Sequence, residues 1–327
     1  IFDVNSMYPD RMKNCVHPIG RGYACPTNPR LTNSGKLKGF GNRPYFAEVI
    51  AINRGAFPVR LKSGLSFEQK EGRFFTTSHE IETALQYGLC DIKEIIAAYV
   101  PKQLISFGDY VDIYSAEKIA AKKEGDKVGE IFAKLLLNSP YGKLAQNPEN
   151  YYDYRIIKDI SELTRDEWRE WDLFEAHGEY QIWRKKSDAK SYFDVAAAAS
   201  ITGASRAKLL AGLALSKRPI YCDTDSIICE EFYGETDISK LGAWKCEGEA
   251  DSVAIAGKKL YAAFDGEKCI KLASKGARLQ PSDVISLCKG KTVSWNNSAP
   301  SFSLSHAPNF VSRNLVKRID TAQKFGV

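Results

Sequence analysis

The sequence predicts an α+β fold built on an antiparallel sheet, and three stretches carry that expectation. Apolar β-formers flank two aspartates in Pro219-Ile220-Tyr221-Cys222-Asp223-Thr224-Asp225-Ser226-Ile227-Ile228-Cys229, which reads as two strands meeting at a tight turn. A second strand, at Ile1-Phe2-Asp3-Val4, carries an acid at its end. The longest helical text runs from about Phe107 to Ala145, and a further helix delivers the chain into the aspartate hairpin.

Length and composition set the bounds. A chain of 327 residues can bury a substantial core and divides into about two domains or one elaborate one. Charged residues at 26% and hydrophobic residues at 44% exclude a disordered chain. The 46 basic against 40 acidic residues give a net charge of +6, compatible with a polyanionic partner without requiring one. Eight scattered cysteines with no Cys-x-x-Cys, and only four histidines, argue against a zinc site and for reduced thiols, as in the cytoplasm. No apolar run reaches the roughly 18 residues that span a bilayer, and Ile1-Phe2-Asp3 is not a charged leader.

Taken in order, the first strand runs into Ser6-Met7-Tyr8-Pro9, where a helix can follow. Between Cys15 and about Phe40 the Gly, Pro and Asn content predicts an irregular excursion. Strands are expected at Tyr45 to Asn53, Phe57 to Lys62 and Ile92 to Val100. A short helix begins at Thr77-Ser78-His79-Glu80, with a capping residue and early acids, and stops by Gly88.

Glu124-Gly125-Asp126 interrupts the long helical text and predicts a helical hairpin with arms near Gly108 to Lys123 and Asp126 to Leu144. On the second arm Lys127, Lys134, Asn138 and Tyr141 share one stripe. That stripe reads equally as a solvated lysine face. Pro140 removes a backbone donor to Leu136 and should kink the arm just before Tyr141.

Residues 146–194 are polar and aromatic and look like an inserted module. Ala196 to Ser216 is a buried helix with Thr202 and Arg206 on one face. Beyond the aspartate hairpin, basic clusters at Lys258-Lys259 and Lys271 to Arg278 surround a strand-like Leu260-Tyr261-Ala262-Ala263-Phe264, either a phosphate-gripping surface or an edge strand guarded by lysines.

The two aspartates of the hairpin repel each other unless a cation sits between them, which points to a divalent metal; an Asx-type turn that merely reverses the chain is the plainer reading. Asp3, the Lys134 stripe and the Asp223/Asp225 hairpin together form the inventory for phosphoryl transfer, with acids to hold metal and a cation to meet phosphate.

At this point a resemblance becomes specific. Asp3-Val4-Asn5-Ser6-Met7-Tyr8-Pro9, Lys134-Leu135-Leu136-Leu137-Asn138-Ser139-Pro140-Tyr141-Gly142 and Tyr221-Cys222-Asp223-Thr224-Asp225-Ser226 are similar to motifs A, B and C of family B DNA polymerases. Lys259-Leu260-Tyr261 resembles the Lys-x-Tyr motif of the protein-primed branch found in small phages and linear plasmids.

The resemblance implies a right-hand architecture: palm at 1–106, with an inserted segment like a terminal-protein region, fingers at 107–145, an insertion at 146–194 serving as a candidate strand-displacement loop, palm again at 195–278, and a small thumb or C-terminal region at 279–327. It also implies template-directed DNA synthesis from dNTPs with two Mg²⁺ ions, for which Mn²⁺ can substitute. Asp3, Asp225 and the Val4 carbonyl would hold the metals, with Asp223 nearby. Tyr8 would exclude a ribose 2′-hydroxyl, Lys122 and Lys134 would meet the triphosphate, and Asn138 and Tyr141 would line the base-pair pocket. Ser6, Gly142, Thr202 and Arg206 would touch template or primer, Lys259 and Tyr261 would steady the primer end, and Lys275 and Arg278 would contact phosphates.

The implied partners are template-primer DNA, dNTP, and a terminal protein or an upstream N-terminal exonuclease part, with no membrane and with the host-cell cytoplasm as location; priming by a protein hydroxyl, by DNA or without any primer all stay open. Because that exonuclease part precedes motif A in the family, this chain alone is not expected to proofread. Relatives carry a further lysine where this chain has Glu130, which removes one expected phosphate contact. Two rivals stand beside this reading: a catalytically inactive polymerase-derived DNA-binding module, against which the intact acids argue, and an RNA-templated polymerase, which usually places its two aspartates side by side.

Overall fold

A computed structural model describes residues 1–25, 29–62, 64–187, 193–274, 279–303 and 309–319. The chain forms two compact units, Ile1–Gln146 with Tyr192–Glu247, and Asn147–Ser191 with Gly248–Val327. The architecture is α+β with antiparallel sheets.

In the first unit β1 (Phe2–Val4) passes into α1 (Met7–Asn14) through Ser6, which takes a left-handed conformation at φ 54°. The strands β2 (His17–Ala24) and β3 (Phe46–Arg54) follow, then the small hairpin of β4 (Val59–Leu61) and β5 (Gly64–Ser66), β6 (Gln69–Thr77), α2 (Ser78–Gln86) and β7 (Cys90–Ile105). β2, β7, β3 and β6 form one sheet in that order. Every second residue of β3 is buried, Ala47, Val49 and Ala51 among them, and these pack with Tyr45, Phe57, Phe74 and Ile81 into the largest apolar cluster described. The expected irregular excursion after Cys15 is in fact strand β2 at its start. It lies at the sheet edge, where Pro18 and a register shift between Ile19 and Gly22 cost no ladder on the open side.

Two helices, α3 (Gly108–Glu124) and α4 (Lys127–Asn138), form the expected hairpin. Gly125 closes α3 at φ 75°, and the Asp126 carboxylate accepts from the Val128 and Gly129 amides to open α4. The helical path breaks at Ser139, and α5 (Pro140–Leu144) restarts with proline in its first turn, where no amide is needed.

The second unit opens with β8 (Tyr152–Ile157), α6 (Glu167–Glu170), β9 (Asp172–His177) and β10 (Tyr180–Lys186), a three-stranded sheet in the order β8-β10-β9 over a small core of Ile157, Leu163 and Trp183. The inserted text is therefore a folded module.

Back in the first unit, α7 (Val195–Ala214) is capped by Asp194 and leads into β11 (Ser216–Asp223), β12 (Ser226–Phe232) and β13 (Trp244–Cys246). With β1 these make a sheet in the order β11-β12-β1-β13. Small residues let α7 lie close to its neighbours: a Cβ on Gly203 would collide with Thr77, and one on Gly212 with Trp244.

The remaining elements of the second unit are β14 (Ser252–Gly257), β15 (Leu260–Asp265), β16 (Lys268–Ser274), α8 (Pro281–Cys288) and the hairpin of β17 (Val293–Ser303) with β18 (Asn309–Ile319). β15 is the central strand of its sheet, which removes the edge-strand reading of Leu260 to Phe264. All eight cysteines are free thiols, and among the described residues no helix is long and apolar enough to cross a membrane.

Candidate active site

The sheet β11-β12-β1-β13 brings the acids together. Asp223 and Ser226 pair across a two-residue turn, so Thr224 and Asp225 form the tip of the hairpin. β1 pairs antiparallel with β12 in a register that sets Asp3 opposite Ser226, and the Val4 amide donates to the Asp225 carbonyl at 2.8 Å. That bond fixes the hairpin tip against the end of β1. Asp3 is half-buried, and its carboxyl is pushed above the usual carboxylate range first by burial and then by the charge of Asp225. A carboxylate at the end of β1 and one at the hairpin tip thus share one electrostatic environment.

The far side of β1 contributes residues that the sequence does not advertise. Asp3 lies opposite Lys245 of β13. The Lys245 ammonium donates to Asp3 Oδ1 at 3.3 Å and to Glu247 Oε1 at 2.9 Å. Burial works against that ammonium, but the bond to Glu247 and the attraction of both acids outweigh it and hold its pKa above the usual lysine range. Only strand register places Lys245 here; in the sequence it is one lysine among 46 basic residues.

Asp223 is occupied differently. Its Oδ1 accepts the Thr224 amide at 2.9 Å and the Thr224 hydroxyl at 3.2 Å, the Asx-type bonding expected of a plain turn.

A second group of residues gathers beside the acids. Tyr8 of α1 and Tyr141 of α5 stack face to face, with ring centroids 3.9 Å apart and planes 9° from parallel. The Tyr8 hydroxyl is driven well above its ordinary pKa, first by burial and then by Tyr141, and it also senses the charges of Asp225 and Arg206. Beneath the pair lies a cluster of Met12, Val111, Leu137 and Ile201, with Tyr110 and Tyr114 packed on it. Segments far apart in sequence therefore meet at Tyr8. Asn138 turns its amide onto its own helix, donating to the Lys134 carbonyl at 2.8 Å. Lys122 and Lys134 are exposed, and nothing lies within 4 Å of where a Cβ on Gly142 would stand.

Of the residues expected along nucleic-acid strands, Ser6 is half-exposed at the start of α1, and Thr202 returns its hydroxyl to the Ala198 carbonyl at 3.0 Å. Arg206 donates from Nε to Glu80 Oε1 at 2.7 Å. Glu80 is only 1% exposed, and its other oxygen completes the capping box with Thr77. Lys259 sits at φ 58° in the turn between β14 and β15, and Tyr261 is buried in β15. Lys275 and Arg278 lie outside the described residues.

Among the described residues no three His, Cys, Asp or Glu side chains form a closed metal cluster. The set at Asp3 and Asp225 is open, and the repulsion between the two carboxylates makes the ionised form of Asp3 costlier without a cation. That suits a divalent cation held by one or two carboxylates with its other positions left for water and phosphate.

Known proteins resemble this chain over most of its length. The family described as "DNA polymerase type B, organellar and viral" matches residues 1–240. The DNA-directed DNA polymerase of Enterobacteria phage PRD1 is 37% identical, over 96% of this chain and 60% of that protein. The DNA polymerase of Bacillus phage Nf is 26% identical, over 80% of this chain and 44% of that protein. This chain thus spans about half the length of the curated relatives it matches. Among solved structures, phi29 DNA polymerase complexed with primer-template DNA and incoming nucleotide substrates aligns with a TM-score of 0.66 at 17% identity, covering 98% of this chain and 57% of that one. At that identity the likeness speaks for the fold.

Proposed function

Because this chain belongs to the organellar and viral type B DNA polymerases, we propose that it carries the polymerising part of such an enzyme and extends a DNA strand on a template from dNTPs, releasing pyrophosphate. The observation that carries this reading is the juxtaposition of Asp3 and Asp225 beside the stacked Tyr8 and Tyr141. In it, the sheet of β1, β11, β12 and β13 is the palm, α3 and α4 are the fingers, and residues 279–327 are the thumb.

Asp3, Asp225 and the Val4 carbonyl are the proposed metal-holding groups, with Asp223 anchoring the turn. Divalent ions bound there would lower the pKa of a primer 3′-hydroxyl and offset charge on the α-phosphate. Tyr8, wedged on Tyr141, would present its ring under the sugar and leave no room for a 2′-hydroxyl. Lys122 and Lys134 would hold the triphosphate, and Tyr141 with Asn138 would flank the new base pair. Gly142 would admit the template backbone closely, since its surroundings are open. Ser6, Thr202 and Arg206 are proposed along the template and primer, and Lys259 and Tyr261 at the primer end. Terminal protein and an exonuclease part are the proposed protein partners, and 146–194 the proposed strand-displacement element.

Primer extension tests this. Wild-type chain with Mg²⁺, dNTPs and a primed template should lengthen the primer, and Asp225→Asn should abolish synthesis while leaving duplex binding within a few-fold. A wild-type chain that binds the duplex without extending it, or an Asp225→Asn variant that still synthesises, would overturn the reading. Parallel reactions without primer, and with a protein hydroxyl as primer, decide the priming mode.

A further inference from the structure

The structure holds a lysine that motif similarity does not assign. Lys118 lies on α3 one turn before Lys122, and Tyr110, Tyr114, Lys118 and Lys122 recur every fourth residue, so they form one row along that helix. The row starts at the substrate end of the hairpin: Tyr110 and Tyr114 pack on the same cluster as Tyr8 and Tyr141. α3 and α4 touch closely, with Ala121 Cβ 3.3 Å from where a Cβ on Gly129 would stand. That contact brings α4's Glu130 and Lys134 alongside the Lys118 row.

Deepening the polymerase reading above and resting on it, we propose that Lys118 is a further binding residue for the triphosphate of the incoming nucleotide, supplying the cation that Glu130 withholds on the facing helix. Three features of its surroundings support this. Burial first, then the charges of Lys134, Lys122 and Lys245, hold the Lys118 pKa below the usual lysine range, with Glu130 partly offsetting them. Lys118 therefore belongs to the cationic cluster of α3 and α4 and also feels the lysine that pairs with Asp3. A polyanion placed among these cations offsets the repulsion between them. A triphosphate, with its several anionic oxygens and its reacting phosphorus near Asp3 and Asp225, is the ligand of that chemistry. Lys118 also stands between the tyrosine floor and Lys122, on the path a nucleotide spans when its sugar rests on Tyr8.

Steady-state primer extension with varied dNTP tests the assignment. Lys118→Ala should raise KM for dNTP about tenfold or more, the effect of losing a charge-assisted contact, with kcat changed by much less. Lys118→Arg should recover most of the loss, and Glu130→Lys added to Lys118→Ala should recover part of it, which a merely structural role for Lys118 does not predict. Lys123→Ala, one residue beyond Lys122 and off the row, is the control and should leave KM unchanged. Circular dichroism and melting of each variant separate misfolding from lost binding. Wild-type extension with an unchanged KM in Lys118→Ala defeats the assignment of Lys118 alone. A wild-type chain that does not extend primers defeats the polymerase reading and this inference with it.

Discussion

The Tyr110 hydroxyl donates to the Leu136 carbonyl at 2.8 Å, joining α3 to α4 at the turn where Pro140 has no amide to offer. In an unbroken helix that carbonyl would accept from residue 140. The proline frees the acceptor, and a tyrosine of the neighbouring helix takes it. The helix break before Tyr141 is thus coupled to hairpin packing.

Removing the hydroxyl should cost about 1 kcal/mol, the usual net value of one intramolecular hydrogen bond. Tyr110→Phe is expected to lower stability by that amount in denaturant unfolding. Pro140→Ala restores an amide donor to Leu136, so Tyr110→Phe should cost clearly less in that background. Full additivity of the two changes would show that Tyr110 and Pro140 are not linked through this carbonyl.

The face-to-face stack of Tyr8 on Tyr141 predicts a sugar-selection phenotype. Tyr8→Val removes the ring without disturbing Asp3 or Asp225, and ribonucleotide incorporation relative to deoxyribonucleotide should rise on the order of tenfold to a hundredfold. Competition assays with matched rNTP and dNTP measure this. Unchanged discrimination would place the steric barrier elsewhere.

Glu80 is the buried keystone between α2 and α7, serving the Thr77 capping box with one oxygen and Arg206 with the other. Glu80→Ala should destabilise the first unit by about 3 kcal/mol, because it strands both the cap and a partly buried guanidinium. Arg206→Ala leaves Glu80 buried without that partner and should also destabilise, which thermal melting would register alongside any change in DNA binding. A variant at Arg206 that weakens DNA binding with no change in stability would separate the two roles.

Stability should fall on acidification through a histidine pair, His17 buried and His79 partly buried. His17 Nδ1 lies 3.0 Å from the Ser200 hydroxyl, and His79 Nε2 lies 3.4 Å from the same oxygen. His79 is held down to about 4, first by burial and then by His17 and Arg11; His17 is lowered as well, chiefly by burial. Both folded pKa values lie below the unfolded value of 6.5, so the unfolded chain binds protons first as pH drops. Their contribution is fully present above about pH 6.5 and is lost progressively toward pH 4, by about 3 kcal/mol for His79 at most. Denaturant midpoints at pH 7 and pH 5 should differ in that direction, and the difference should shrink in His79→Gln.

Much of the candidate site was legible because it rests on local chemistry. The Asp223-Thr224-Asp225 tip between apolar strands, the Gly125 and Asp126 caps that fold α3 against α4, and the break at Pro140 each follow from residue types within a few positions of one another. Strand β2 was hidden because glycine and proline, which usually mark loops, are tolerated on the open side of an edge strand.

What the tertiary structure alone decided is which distant groups share a field. Antiparallel register put Lys245 opposite Asp3, and helix packing brought Arg206 to Glu80, 126 residues away, and Lys118 into the cationic cluster of α3 and α4. No periodicity or spacing encodes such pairings, because they depend on how whole elements dock. The sequence by itself determined that acids stand at two strand ends and cations along a helical hairpin; docking decided that Asp3 and Asp225 repel across one sheet, with Lys245 at their side.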